Sequence, residues 1–356
     1  MRLGAHDEIF QAGAPVLVGV DVASTYCYLL SQEEHRDADT WGVRLLELQA
    51  HGFAPDATIA DFGTGLRAGQ EQALPEVPCR GDIFHVLHKI LPVVTFLDNR
   101  AYAAMVARSK LEQQQASHEH RQGRKNLVLV PQLRAARQAE AQAIALAEEV
   151  ALLTQWLRED ILAVAGADST SRAELYDFVV AELANRVPLC DHRLRSVWTL
   201  LKNQRNQLLA FVVALDSELV CLATAQHIPV AVAWAMLNTQ ALSVWDQRRW
   251  QRDGALHQQL GAKYHALSVA VAAIRGRVVR ASSVIENLNS RLRGYFFLRR
   301  ALGSDYLALL QFFLNHRRFL RSEHAERTER SPAELWTGQE HAPWLELLGF
   351  TRLVRK

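Results

Sequence analysis

Strand-forming pattern in this 356-residue chain is confined to its first hundred residues, and it vanishes from about Asn99 to Val279. Leu3 to Phe10 is short and extended, Pro15 to Val22 (PVLVGVDV) is β-rich, and Thr25 to Leu30 (TYCYLL) is aromatic and apolar. Residues of these kinds suit a pleated, half-buried surface. The joints Gln11-Ala12-Gly13-Ala14 and Ala23-Ser24 are short enough for hairpins, so the three segments read as a meander. Asp39-Thr40 then caps a helix that turns Trp41, Leu45, Leu46 and Leu48 inward and ends at Gly52. Ala57 to Ala60 is a short apolar strand that stops on Asp61, and Gly63-Thr64-Gly65 opens a helix running to Leu74. Pro78-Cys79-Arg80-Gly81 leads through a brief strand to Asp82, and a helix follows from Ile83 through Leu97. The expected order is β-β-β-α-β-α-β-α, an α/β core of a meander followed by alternating units.

Beyond this core the pattern is helical. Leu146, Val150, Leu153 and Leu157 form one apolar stripe, with further helices expected around Arg172–Asn185, Arg193–Leu215 and Ile228–Trp250. The polar run Gln113–Lys125 reads as an exposed loop or a frayed helix end. Ser282-Ser283 then begins a late helix, with Ile285, Leu288 and Leu292 on an apolar stripe and Glu286, Asn289 and Arg293 beside it. An aromatic helix from Tyr306 to Phe319 and a tail with Ser331-Pro332 complete the chain. The division is 1–98 for the first part of the core and 99–279 for an all-helical insertion. Residues 280–325 form the second part of the core, and 326–356 a C-terminal tail. A chain of this length can bury two cores.

Four cysteines without a C-x-x-C pair argue against a zinc ribbon or a disulfide framework and fit a reducing cytosol. Asp7 and Glu8 precede any apolar run, so no secretory signal is expected. Leu208 to Leu237 is interrupted by Asp216, Glu218, His227 and Pro229, which points to buried helices rather than a membrane span. A cytoplasmic protein with no membrane partner is the expectation. The net charge is only +2, yet from Arg275 onward fifteen Lys/Arg face eight Asp/Glu. Basic residues are mostly arginine, whose planar fork suits phosphate, although a coding bias would give the same excess.

Carboxylates at strand ends can hold hard divalent ions through oxygen. Phosphodiester chemistry uses two such ions about 3.5–4 Å apart. The candidates are Asp7 on the first strand, Asp61 after the fourth, and Glu286 on the late helix. Each has another use: Asp7 as a solvated charge, Asp61 as a helix cap, and Glu286 as the partner of Ser283 in a capping box. Asp21, closing PVLVGVD, is the rival for the first position, and a turn residue is its alternative role. Asp7 is preferred because the meander then has three strands with the acid on the first. Asp82 and His85, with His88 one turn on, form a D-x-x-H segment better suited to supporting an active site than to holding zinc. Two patches could meet DNA: Trp245, Arg248, Arg249 and Trp250, which interleave aromatic and basic side chains, and Arg291, Arg293, Arg299 and Arg300 after the glutamate. Core tryptophans and a charged helix face are the competing explanations.

With those residues laid out, the chain resembles DDE-type insertion-sequence transposases, particularly the mutator-like branch. The resemblance rests on Asp7-Glu8-Ile9-Phe10, PVLVGVD (15–21), ADFGTGLRAG (60–69), DIFHVLH (82–88) and SSVIENLNSRLR (282–293), in that order. It implies an RNase H-like core interrupted by an all-helical insertion. It further implies a metal-binding triad of Asp7, Asp61 and Glu286 with Asp82 and His85 accompanying it, and two Mg²⁺ or Mn²⁺ ions. Double-stranded DNA, as transposon ends and target, would be the substrate, and a homodimer or higher homo-oligomer, associated with the nucleoid, the working form. A catalytically inactive or truncated DNA-binding relative, and an RNase H-like nuclease without strand transfer, are the alternatives. The chain departs from the pattern in beginning almost at the first acidic strand, where such transposases usually carry a DNA-binding domain.

Overall fold

The structure is a computed structural model that describes residues 2–190, 192–278, 283–299, 302–322 and 325–351. Along the chain come β1 (Leu3–Gln11), β2 (Ala14–Asp21), β3 (Cys27–Gln32), α1 (Ala38–Ala50), β4 (Ala57–Ala60), α2 (Thr64–Ala73) and β5 (Cys79–Gly81). Eight helices follow: α3 (Ile83–Gln122), α4 (Leu129–Trp156), α5 (Ser169–Arg186), α6 (His192–Asn203), α7 (Arg205–Gln226), α8 (Val230–Ala241), α9 (Gln247–Leu260) and α10 (Tyr264–Arg277). The chain ends with α11 (Ser283–Phe297), α12 (Ser304–His316), α13 (Pro332–Thr337) and α14 (Trp344–Leu347). It divides into two compact units. The first is Met1–Phe84 with Arg280–Lys356, and the second is His85–Val279. The boundary falls inside α3, earlier than residue 98, and the C-terminal segment from 326 counts with the first unit.

The first unit is built on a mixed five-stranded sheet of order β3-β2-β1-β4-β5. β1 lies at its centre, antiparallel to β2 and parallel to β4, which is in turn parallel to β5. Ala12 (φ 51) and Gly13 (φ 85) join β1 to β2 in a two-residue loop with both residues left-handed, the geometry that matches strand twist in a tight hairpin. Along β2 the residues from Pro15 to Asp21 are all buried, so this strand is covered on both faces. On one face Leu17, Leu29, Trp41, Leu45, Ala60 and Leu66 share a core beneath α1 and α2. α11 packs on β1 and β2, and α12 on β3. The stripe Ile285, Leu288 and Leu292 is buried as its spacing requires. At the β3 edge the Asn315 amide accepts from Cys27 N–H and donates to Cys27 C=O, both at 2.8 Å, so a side chain substitutes for a neighbouring strand.

Several boundaries differ from the sequence reading. The cap of α1 is Asp37, which accepts from Thr40 N–H at 2.9 Å, and Leu46 faces out rather than in. The aromatic helix stops at His316 rather than Phe319. Its successor is an ordered segment, where Ser331 and Glu334 form a reciprocal capping box and Trp336 stacks on Tyr26 at 5.6 Å. The Ser283–Glu286 box rests on a side chain outside the described residues.

In the second unit the described residues form helices and turns. α3 passes through Pro92 and continues to Gln122, so Gln113 onward is helix where a loop was one expectation. Cross-helix pairs explain the extension: Arg108 meets Glu140 at 2.5 Å and Arg137 meets Glu112 at 2.9 Å, tying α3 to α4. The two long helices expected at Arg193–Leu215 and Ile228–Trp250 are each broken, at Gln204 and at Leu242–Asp246. α7 is long and apolar enough to cross a membrane, by length and composition only, and its residues from Leu208 to Ala223 contribute a buried face to this unit.

The α1–α2 contact gives a direct test. A Cβ at Gly69 would lie 2.5 Å from the Ala38 carbonyl oxygen and 2.8 Å from Gly42 N, both backbone atoms that cannot swing aside. Gly69→Ala should therefore cost about 2 kcal/mol or more, read as a lowered urea midpoint with unchanged slope.

Candidate active site

Strand register determines where the acids fall. In the parallel pairing of β1 with β4, His6 stands opposite Ala60, and in that of β4 with β5, Ala60 stands opposite Gly81. The next residue on each strand is an aspartate: Asp7, Asp61 and Asp82. Neighbouring strands lie about 4.8 Å apart, so one register row delivers three carboxylates side by side. Pleating sends His6 and Asp7 to opposite faces. His6 is buried among Tyr28, Trp41 and Phe53, and Tyr28 Oη lies 2.9 Å from its Nε2. Burial lowers its pKa to about 4, with a hydrogen bond to Gln70 opposing, so it is neutral at neutral pH. Asp7 takes the α11 face, where the Asn289 amide donates to its Oδ2 at 2.6 Å.

α11 is secured to β1 at both ends of this contact. Gln11 Nε2 donates to the carbonyls of Phe296 and Arg299, satisfying acceptors at the C-terminal end of the helix. Glu286 lies one turn before Asn289 and so shares its face. Each aspartate in the row accepts a backbone N–H: Glu8 N–H to Asp7 at 2.8 Å, Gly63 N–H to Asp61 at 2.9 Å and Phe84 N–H to Asp82 at 2.8 Å. Burial raises the Asp7 pKa to about 7, the Glu8 N–H opposes this, and the charges of Asp61, Glu286 and Asp82 all push it further up. Three acids from separate stretches of chain therefore act on Asp7.

The other residues singled out by the sequence fall as follows. Asp21 is buried and closes the β2–β3 turn, accepting from Ser24 N–H at 2.7 Å and Ser24 Oγ at 2.6 Å. That is the turn role considered for it, and it leaves Asp7 as the first acid of the row. His85 is half-buried on α3 in the second unit, and His88 is exposed there. Trp245 is 91% exposed and Trp250 66%, so neither is a core tryptophan. Arg248 is paired with its own helix cap Asp246 at 2.7 Å, and Arg249 donates to the Leu242 carbonyl at 2.8 Å. Arg291, Arg293 and Arg299 are exposed, with Arg299 lying 4.4 Å over the Tyr306 ring. Arg300 lies outside the described residues. Asn289 is the residue that sequence reasoning left on a polar face without a role. Its spacing of three from Glu286 was the available signal.

Among the described residues, no three His, Cys, Asp or Glu side chains are grouped closely enough to hold a metal ion. The donor chemistry nevertheless fits a hard divalent cation. The row offers carboxylate oxygens, and beside Asp7 the Oδ1 of fully buried Asn289 has no hydrogen-bond partner. Gripping an ion would require the acidic side chains to turn toward one another. Comparison of the chain with protein-family models finds no match, and comparison with curated proteins finds none.

Asp7 binds its proton more tightly folded than unfolded, so its contribution to stability declines as pH rises from about 4 to about 7. Asp7→Asn removes the charge, and rotation of the Asn289 amide lets Oδ1 accept from the new NH₂. The variant should be more stable than the parent near pH 8 by something on the order of 2–3 kcal/mol, and the gain should fade toward about pH 4. Urea unfolding in a chelator at both pH values checks this.

Proposed function

We propose that this protein is a metal-dependent DNA strand transferase of the DDE transposase kind, with an RNase H-like core and Asp7, Asp61 and Glu286 as its acidic triad. The supporting observation is the register row: parallel pairing sets Asp7, Asp61 and Asp82 side by side, and Asn289 holds the helix of Glu286 against the first of them. Ligands of mixed and parallel sheets commonly bind at the carboxyl ends of the strands, where Asp61 and Asp82 stand. The sheet order β3-β2-β1-β4-β5, with β1 central and a meander leading into alternating units, is consistent with an RNase H-like arrangement.

Two Mg²⁺ or Mn²⁺ ions, held by Asp7, Asp61 and Glu286, would supply Lewis acidity and charge neutralisation at a phosphodiester. The remaining work falls to the chain. The backbone N–H donated to Asp61 leaves its second oxygen for binding, whereas Asp7 accepts on both oxygens, from Glu8 N–H and from the Asn289 amide that keeps its carboxylate in one rotamer, and would bind through the remaining lone pairs. In the first reaction water attacks at the end of the element, and the P–O bond to the 3′ oxygen breaks, freeing a 3′-hydroxyl. In the second that hydroxyl attacks a target phosphodiester, forming one P–O bond as another breaks. Asp82, the third acid of the row, raises the proton affinity of Asp7. His85 is assigned a supporting role only. The exposed Trp245 and Trp250 rings suit stacking on bases, whereas Arg248 and Arg249 are already engaged and would be secondary contacts. Double-stranded DNA and a second copy of the chain are the partners this reading implies, and the cytoplasm its location.

Glu286→Ala, Asp61→Ala and Asp7→Ala should each lower Mg²⁺-dependent cleavage of an end-bearing duplex on the order of a thousandfold or more. Gel analysis of cleaved and joined products is the measurement. Undiminished cutting by the Glu286 variant would remove the assignment, and cutting without joined product would favour a nuclease over a transferase.

A further inference from the structure

Away from the acidic row, the first unit gathers arginines at one place. A concavity of about 270 Å³ is lined by Arg291 from α11 and by Arg317, Arg318 and Arg321, which follow α12, with Leu314 and Phe319 as apolar walls. Arg318 is accounted for: it pairs with the buried Glu334 at 2.6 Å and helps position the capping box of α13. The other three are different. Among the described residues no carboxylate pairs with Arg291, Arg317 or Arg321, and all three are exposed. Desolvation lowers the pKa of Arg291, and the charge of Arg317 lowers it too, so the two guanidinium groups repel across the concavity. Arg317 is the C-cap of α12 and lies 5.5 Å over the Phe313 ring. The helix dipole accounts for one cation at that position. It does not account for three around one hollow.

We infer that Arg291, Arg317 and Arg321 form a phosphate cradle that takes a backbone phosphodiester of duplex DNA. Three guanidinium forks converging from two chain segments suit a tetrahedral oxyanion with acceptors on several sides, which a flat carboxylate does not offer. The ligand assignment rests on the DNA reading above, because Arg291 lies five residues beyond Glu286, about 7.5 Å further along the same helix. Five residues also turn about 140° round the axis, so a strand with one phosphate at the acids would have to curve round α11 to place a later one in this cradle. Arg291 was singled out in the sequence as a phosphate contact. Arg317 and Arg321 were not, because no local pattern links them to α11.

The test is binding of the full-length protein to a labelled duplex by fluorescence anisotropy, in EDTA, across a salt series. Omitting divalent ions keeps the measurement independent of cleavage. For Arg317→Gln/Arg321→Gln the affinity near 0.1 M salt should fall about tenfold, and the slope of log K against log salt should shrink by about 0.9, the value for one lost phosphate contact. Arg317→Lys/Arg321→Lys should retain most of the slope, and Arg291→Gln, which takes one of three guanidinium groups from the same phosphate, should lower it by no more than about 0.9. Thermal unfolding of every variant separates lost contacts from lost fold, and the lysine pair remains informative if the glutamine pair is destabilised. Parent-like affinity and slope in folded Arg317→Gln/Arg321→Gln would overturn the cradle. So would saturable binding of inorganic phosphate at these arginines that duplex DNA fails to displace. Salt-dependent loss of binding without any cleavage by the parent would leave the cradle standing and remove only the strand-transfer reading.

Discussion

The 2.6 Å hydrogen bond from Asn289 to Asp7 joins residues 282 positions apart and is the contact on which the arrangement of the first unit turns. It ties the helix carrying Glu286 to the central strand of the sheet, and it does so next to like charges. The charges of Asp61, Glu286 and Asp82 all raise the cost of ionising Asp7, so these acids oppose folding at neutral pH. The fold offsets that cost locally. Asp7, Asp61 and Asp82 each accept a nearby backbone N–H, and Asp7 meets the Asn289 amide as well. The residual strain appears as the high proton affinity of Asp7. Protonation of Asp7 relieves that cost.

The sheet that carries this row is stabilised by features unrelated to it. On the opposite face His6 is a neutral, buried ring in an aromatic cluster, and Gly69 allows α2 to approach α1 closely. The edge strand β3 is closed by the side chain of Asn315, and Trp336 from the C-terminal segment covers Tyr26 next to it. In the helical unit, fully buried Arg172 performs an analogous task. It donates to the carbonyls of Ile161, at the end of a π-helical turn, and of Val164 and Ala167 beyond it, so one side chain holds the connection to α5. A buried arginine is tolerable there because several oxygens share its charge.

Much of the architecture was legible in local pattern. Extended and β-rich runs marked β1 and β2 to within one residue and β3 to within two, and the stripe Ile285-Leu288-Leu292 identified the buried side of α11. Those features depend on periodicity, which a sequence displays directly. Helix ends were less legible. Polar composition at Gln113–Lys125 concealed ten further helical residues of α3, held by ion pairs to α4 that no local rule reveals. The breaks at Gln204 and Leu242–Asp246 were hidden in continuous apolar periodicity, although Asp246 offered a cap.

What the sequence determined by itself was the identity of each acid and the element that bears it, because strand ends and caps are written in neighbouring residues. Only the tertiary structure decided that Asp7, Asp61 and Asp82 share one row, that Asp21 belongs to a turn, and that Asn289 reaches the first of them. Register is a relation between strands, and a shift of one residue would send every side chain to the other face. The arginines around the end of α12 needed the same information. Charges separated by more than twenty residues become neighbours only once packing brings α11 and α12 into one unit.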